Sequence, residues 1–157
     1  MEFRVVNETG RRQIAAPWLK ILKIAESAQK KATVSASRPA RQGISVALVF
    51  ISRQKIKRLN KLYRRKNQAT DVLSFSAGKQ VFYKGSGDIL ICPDFLKQHY
   101  PLINLKELVI HRFIHGLLHL HGFDHRTNRE AVKMEKEVQK ILAKYNYGRH
   151  HAKQHKK

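Results

Sequence analysis

The chain has 157 residues, with 32 Lys and Arg against 11 Asp and Glu, a formal net charge of +21 and 42% hydrophobic residues. That length suggests one domain with enough apolar material for a real core, and the charge predicts attraction to a polyanion, whether RNA, DNA or an anionic membrane. No apolar run approaches the ~18 residues of a membrane span, MEFRVVNETGRR lacks the apolar stretch of a signal peptide, and the single cysteine, Cys92, excludes an internal disulfide and fits a reducing, cytoplasmic compartment.

In chain order, residues 3–7 (FRVVN) read as a short strand closed by Gly10, Arg11 and Arg12. Pro17 suits the first turn of a helix in which Trp18, Ile21, Leu22, Ala25 and Ala28 recur at helical spacing to about Lys31. SASRPARQG at 35–43 is a loop by composition. Residues 44–51, with the apolar run 46–51, predict a buried strand. Ser52 can cap a helix ending near Arg65, with Ile56, Leu59 and Tyr63 on one face. TDVLSFS at 70–76 alternates as a strand, a turn or hairpin follows around Gly78, and GDILIC at 87–92 is a further strand stopped by Pro93. Asn104 and Glu107 resemble a capping box for a helix that Gly122 ends near His121. A last helix over 127–145 has Ala131, Met134, Val138, Ile141 and Tyr145 on its apolar face. The expectation is an α+β fold: one domain over residues 1–147 with about four strands in a mixed sheet and four or five helices, then a basic, disordered tail over 148–157.

Five of the nine histidines lie between His111 and His125. On a helix, His115 and His119 sit about 40° apart and one turn along the same stripe. Ile110, Phe113, Ile114 and Leu117 fall mostly on another face, leaving the imidazoles free to enter a cleft. Gly122 can take positive φ and swing His125 back toward the pair. The spacing H-x-x-x-H-x-x-G-x-x-H matches the ligand spacing of the long metzincin zinc motif. Three neutral imidazoles and one open position describe a catalytic zinc site. His111 and His121 support or line such a site rather than bind its metal, although His121 could add a ligand. Zinc proteases place a glutamate directly after the first histidine as proton carrier. Here that position is Gly116. A phosphodiester makes other demands: a metal and an arginine can stabilise its leaving alkoxide and developing charge.

SRQKIKRLNKLYRRK, at 52–66, holds eight basic residues and no acid. Arg53, Lys57, Lys61 and Arg64 form a stripe at helical spacing, which is either a solvated face or a phosphate-binding surface; the charge of the whole chain favours the second. Arginine suits a transition-state contact better than lysine because its planar fork grips two phosphate oxygens.

LNKLYRRKNQATDVLSFS (59–76), GDILIC (87–92) and HGLLHLHGFDH (115–125) occur in that order. Together they resemble the YbeY family, bacterial endoribonucleases and ribosomal RNA maturation factors whose pattern runs close to LN-x-x-YR-x-K-x-x-PTDVLSF, then GDI, then HG-x-LHL-x-G-Y/F-DH. The resemblance covers nearly all of the chain except the tail. It implies an α+β fold with the histidine helix at its core. It also implies one metal ion per chain, usually taken as zinc, on His115, His119 and His125, with Arg64 important for RNA cleavage. The implied activity is metal-dependent cutting of single-stranded RNA. The implied roles are 16S rRNA 3′-end maturation, small-subunit assembly and ribosome quality control, with rRNA and the small ribosomal subunit as partners and neither DNA nor membrane. Thr70, Asp71 and Ser74 match the strand motif; Asp71 either orients a site group or caps the strand end. Asp124 either accepts a hydrogen bond from a ligand imidazole or stabilises its turn. Ala69 departs from the pattern, standing where proline is usual, and the charge exceeds the family's.

The expected mechanism lowers the pKa of a zinc-held water toward about 7. That hydroxide, or the RNA 2′-OH, attacks the phosphate, while Arg64 and the metal stabilise charge and the basic helix holds the strand. The other readings are a non-catalytic RNA-binding assembly factor with a structural metal, and a zinc protease, against which Gly116 argues.

Overall fold

The computed structural model describes residues 2–10, 23, 45–77, 86–123 and 127–145. Its four strands are β1 (Glu2–Asn7), β2 (Ser45–Phe50), β3 (Val72–Ser76) and β4 (Gly87–Ile91). They form one sheet in the order β1-β2-β4-β3, with β1, β2 and β4 parallel and β3 antiparallel to β4. The helices among the described residues are α1 (Arg53–Arg64), α2 (Pro93–His99), α3 (Leu105–Leu120) and α4 (Asn128–Lys144). This is the expected α+β arrangement around a mixed sheet. The expected helix over 17–31 (apart from Lys23), the loop at 35–43, the hairpin near Gly78 and the tail at 148–157 lie outside the described residues.

The sheet is covered on both faces, which is why residues 46–51 are apolar without alternation. On one face Val46, Leu48 and Phe50 of β2 join Ile89 and Ile91 of β4 against α3 and α4. On the other, Leu73, Leu90 and Cys92 pack beneath α1 through Ile56. Burial raises the Cys92 thiol above its usual pKa, which keeps it a protonated core group. Helix α3 is sandwiched between β3 and β4 and the helices α2 and α4. A helix covered all round must be apolar all round, and this one nearly is.

Three expectations change. Pro93 does end β4, but it also opens α2, which the sequence reading omitted. Its missing N–H costs nothing in the first helical turn, where that donor has no partner within the helix. On α1, Ile56 is buried and Leu59 half-buried, but Tyr63 is exposed and Asn60 is buried instead. The reason is position: β3 is an edge strand among the described residues, and Tyr63 meets its Phe75 edge-on at 5.0 Å between centroids. On α4, Ala131 is exposed, and Leu142 joins Met134 and Val138 in the core. A capping box between Thr127 and Glu130 sets the start of that helix.

Candidate functional site

From Leu108 to Leu120 every residue is buried except His115 and His119, which are half-buried. The two imidazoles look into a cleft of about 820 Å³, whose other walls include Asn60, Tyr63, Arg64, Thr70 and Ser74. The cleft therefore joins α3, the edge strand β3, the last turn of α1 and the loop between α1 and β3.

The end of α3 fixes one imidazole. Gly122 takes φ 87°, a left-handed conformation that glycine adopts without steric cost. The Phe123 N–H then donates to the Leu118 carbonyl at 3.0 Å and the Gly122 N–H to the His119 carbonyl at 2.9 Å. This is a Schellman turn, which satisfies carbonyls the helix end would leave bare. The turn also brings the Phe123 carbonyl to 2.9 Å from His119 Nδ1. A carbonyl can only accept, so Nδ1 carries the proton and, in the neutral ring, Nε2 carries the lone pair. His119 Nε2 lies 3.2 Å from His115 Nε2, with the rings nearly perpendicular at 77°.

Those atoms fit a metal. Two nitrogens at 2.0–2.1 Å from a tetrahedral zinc would lie about 3.3 Å apart, close to the separation seen. Among the described residues no third His, Cys, Asp or Glu completes a metal-holding group. The expected third ligand, His125, and its neighbour Asp124 lie outside the described residues. His111 and His121, expected to support or line the site, are buried and do not line the cleft.

Gly116 is explained by packing. A Cβ there would come within 2.8 Å of Ile89 Cγ2, so the bare position lets α3 approach β4. A glutamate at that position would have to start in the space Ile89 occupies, which reinforces the absence of a protease-like proton carrier.

Arg64 stands on the cleft, and its Nη2 donates to the Ser74 carbonyl at 3.2 Å. Of the four residues in the basic stripe it is the one that lines the cleft; Arg53, Lys57 and Lys61 are exposed elsewhere on α1. Arg53 lies over the Phe95 ring, 5.7 Å from its centroid.

Behind the histidines runs a buried polar network that the sequence reading missed. Arg112 is only 9% exposed and pairs through Nε with Asp71 Oδ2. Its Nη1 donates to His111 Nδ1 at 2.8 Å and its Nη2 to the Tyr100 hydroxyl at 3.2 Å. His111 Nε2 faces Glu135 of α4 at 3.5 Å. Asp71 Oδ1 also accepts from the Thr70 hydroxyl and the Val72 N–H. Burial works against ionising Asp71, but the charge and hydrogen bond of Arg112, with those from Thr70 and Val72, outweigh it and hold the carboxyl below its usual value. Asp71 thus both caps the start of β3 and ties it to the histidine helix. The available signal was Arg112 itself, the one Lys, Arg, Asp or Glu in the apolar run from Leu108 to Leu120, which requires a partner. Asn60 was missed too; its Nδ2 donates to the Gln68 carbonyl at 2.8 Å and anchors the loop on the cleft.

A family model described as endoribonuclease YbeY matches residues 5–146. A protein of that name from Buchnera aphidicola of Acyrthosiphon pisum is 36% identical over 110 residues, covering 68% of this chain and 71% of its own. Another from Bdellovibrio bacteriovorus is 32% identical over 142 residues, covering 85% of this chain and 88% of its own. A Thermotoga maritima protein of known solution structure aligns over 92% of this chain and 91% of its own, with a TM-score of 0.49 and 22% identity.

Proposed function

The chain belongs to the endoribonuclease YbeY family, and from that membership we propose that it is a zinc-dependent nuclease cutting single-stranded RNA in the cleft beside α3. The observation that supports this reading best is the convergence of His115 and His119 Nε2 at 3.2 Å on the cleft that also holds Arg64. In this reading His115, His119 and His125 hold one zinc ion. When bound, the ion supplies Lewis-acid polarisation and a lowered water pKa. Everything else falls to the chain. The Phe123 carbonyl keeps the His119 proton on Nδ1 and its lone pair turned to the cleft. Arg64 grips the scissile phosphate through two of its N–H groups and stabilises the charge that grows there. Arg53, Lys57 and Lys61 hold the strand by its phosphates along α1. Asp124 accepts a hydrogen bond from a ligand imidazole or steadies its own turn.

The RNA is ribosomal: the reading places the protein in the cytoplasm, in 16S rRNA 3′-end maturation, small-subunit assembly and ribosome quality control. No described helix is long and apolar enough to cross a membrane. The nucleophile is either water or the RNA 2′-OH, and product ends distinguish them, since a 2′,3′-cyclic phosphate excludes direct attack by water.

The test compares cleavage of a single-stranded RNA by wild type, His119→Ala and Arg64→Ala, with metal content measured on each. Loss of metal and cutting in His119→Ala, together with retained metal and poor cutting in Arg64→Ala, is the expected result. Equal cutting by all three identifies a contaminating nuclease. RNA binding without cutting by any of them moves the protein to the assembly-factor class with a structural metal.

A further inference from the structure

Tyr63 is a large aromatic side chain left 60% exposed on the wall of the cleft. Its ring is braced. Phe75 meets it edge-to-face, with centroids 5.0 Å apart and planes at 66°, a favoured aromatic geometry. That edge contact leaves the tyrosine ring face uncovered by Phe75, which matches its exposure. The surroundings are cationic and polar: Arg64 follows it directly, and Lys66 and Gln68 line the same cleft. His115 and His119 line the same cleft. The loop carrying Lys66 is itself held, because the Lys66 N–H donates to the Asn60 carbonyl at 3.2 Å while the Asn60 side chain holds Gln68.

An exposed ring, fixed in orientation and set among cations, has the chemistry of a base-stacking platform. We propose that Tyr63 stacks an unpaired RNA base at the mouth of the cleft, while the phosphates beside that base meet Arg64 and Lys66. The inference rests on the RNA reading above and adds a source of strand selectivity to it. A base inside a duplex has both faces covered by its neighbours and cannot stack on a protein ring without being unstacked first. A base in a single strand exposes a face at little cost. Phosphate contacts alone attract both forms, so discrimination has to come from a group that reads the base face.

The experiment is fluorescence anisotropy on the full chain with three labelled 2′-O-methyl RNAs of about ten nucleotides: a single strand, the same strand in a duplex, and the same strand with abasic positions. One stacked base is worth roughly a fivefold to hundredfold change in affinity. Tyr63→Ala should weaken single-strand binding by that factor while changing duplex and abasic binding less than twofold. Tyr63→Leu, which keeps an apolar contact with Phe75 but has no aromatic face, should lose as much, and Tyr63→Trp should restore affinity. Equal weakening for single strand and duplex, or no weakening in Tyr63→Leu, overturns the proposal. Because the readout is binding, its failure is separate from that of the nuclease reading. A protein that cuts RNA with Tyr63→Leu binding unimpaired loses only the platform, and one that never cuts but shows the selective loss keeps it.

Discussion

Helix α3 is buried almost throughout and opens to the cleft at His115 and His119, whereas α1, on the same cleft, buries Ile56 and Asn60 and leaves its six basic residues exposed. The difference matches what the proposed function would ask of each wall. Under the proposed function, imidazoles that share a metal would need fixed separations and tautomers; helix packing sets the separation of His115 and His119, and the Schellman turn sets the tautomer of His119. Cations that hold a flexible polyanion need reach and a long-range field, which an exposed helix gives at little cost in stability.

The rigid wall is most vulnerable at the sheet beneath α3. Gly87 has φ 148°, and a Cβ there would lie 2.1 Å from the Phe75 carbonyl oxygen. Backbone cannot move aside as a side chain can, so Gly87→Ala should cost more than about 3 kcal/mol in chemical unfolding. A loss below about 1 kcal/mol would show that the sheet yields more easily than this rigid wall requires. Next is Arg112→Met, which leaves the half-buried Asp71 without its cation and should cost somewhat less than the about 3–5 kcal/mol of a fully buried pair. The same pair sets a pH dependence. Because the folded Asp71 pKa is lowered, its stabilisation is fully present above the unfolded value near about 3.9. It is lost as pH falls through the lower folded value. Acid titration of unfolding should therefore show a stability drop that begins at about 3.9 and levels off below the folded value in wild type, and a smaller one in Arg112→Met.

Gly116→Ala should cost about 1–3 kcal/mol through overpacking, less than Gly87→Ala because its obstacle is the Ile89 side chain. Adding Ile89→Ala, which removes the Cγ2 that the new Cβ would meet, should cost less in Gly116→Ala than in wild type, and a purely additive double mutant would place the cost elsewhere. On the α1 wall, Lys57→Ala should leave the unfolding midpoint unchanged. If Lys57 holds a phosphate, it should also lower the salt slope of RNA binding by about 1. The smallest effect is Arg65→Gly. Arg65 ends α1 at φ 58°, a conformation unfavourable for any residue with a Cβ. Relief of that strain, offset by the freer unfolded chain, should stabilise by about 0.5 kcal/mol.

Elements governed by local rules were legible without coordinates. Ser52 accepts the Lys55 N–H and Asn104 the Lys106 N–H, as side chains of those types do at helix starts. Gly122 ends α3 with positive φ as its position suggested. The i, i+4 spacing of His115 and His119 was enough to put both rings on one stripe. What was hidden depended on neighbours far along the chain. Tyr63 looked like a core position because its spacing matched Ile56 and Leu59; only the place of β3 at the sheet edge leaves it uncovered. Pro93 reads as a stop from sequence alone because one residue type serves both to end a strand and to begin a helix.

Periods, caps and the histidine stripe were legible in the chain alone because each depends on residues within a few positions of one another, and the family motif because its three blocks are read as letters in order, with no need of contact between them. Tertiary structure decided that Arg112 pairs with Asp71, 41 positions away, that Gly116 is bare to admit Ile89, and that His115, His119 and Arg64 share one cleft. Those outcomes depend on which surfaces are brought together when strands β3 and β4 pair and α3 crosses them. Spacing along the chain carries no such distance, because packing chooses partners by shape and by the need to satisfy buried charge.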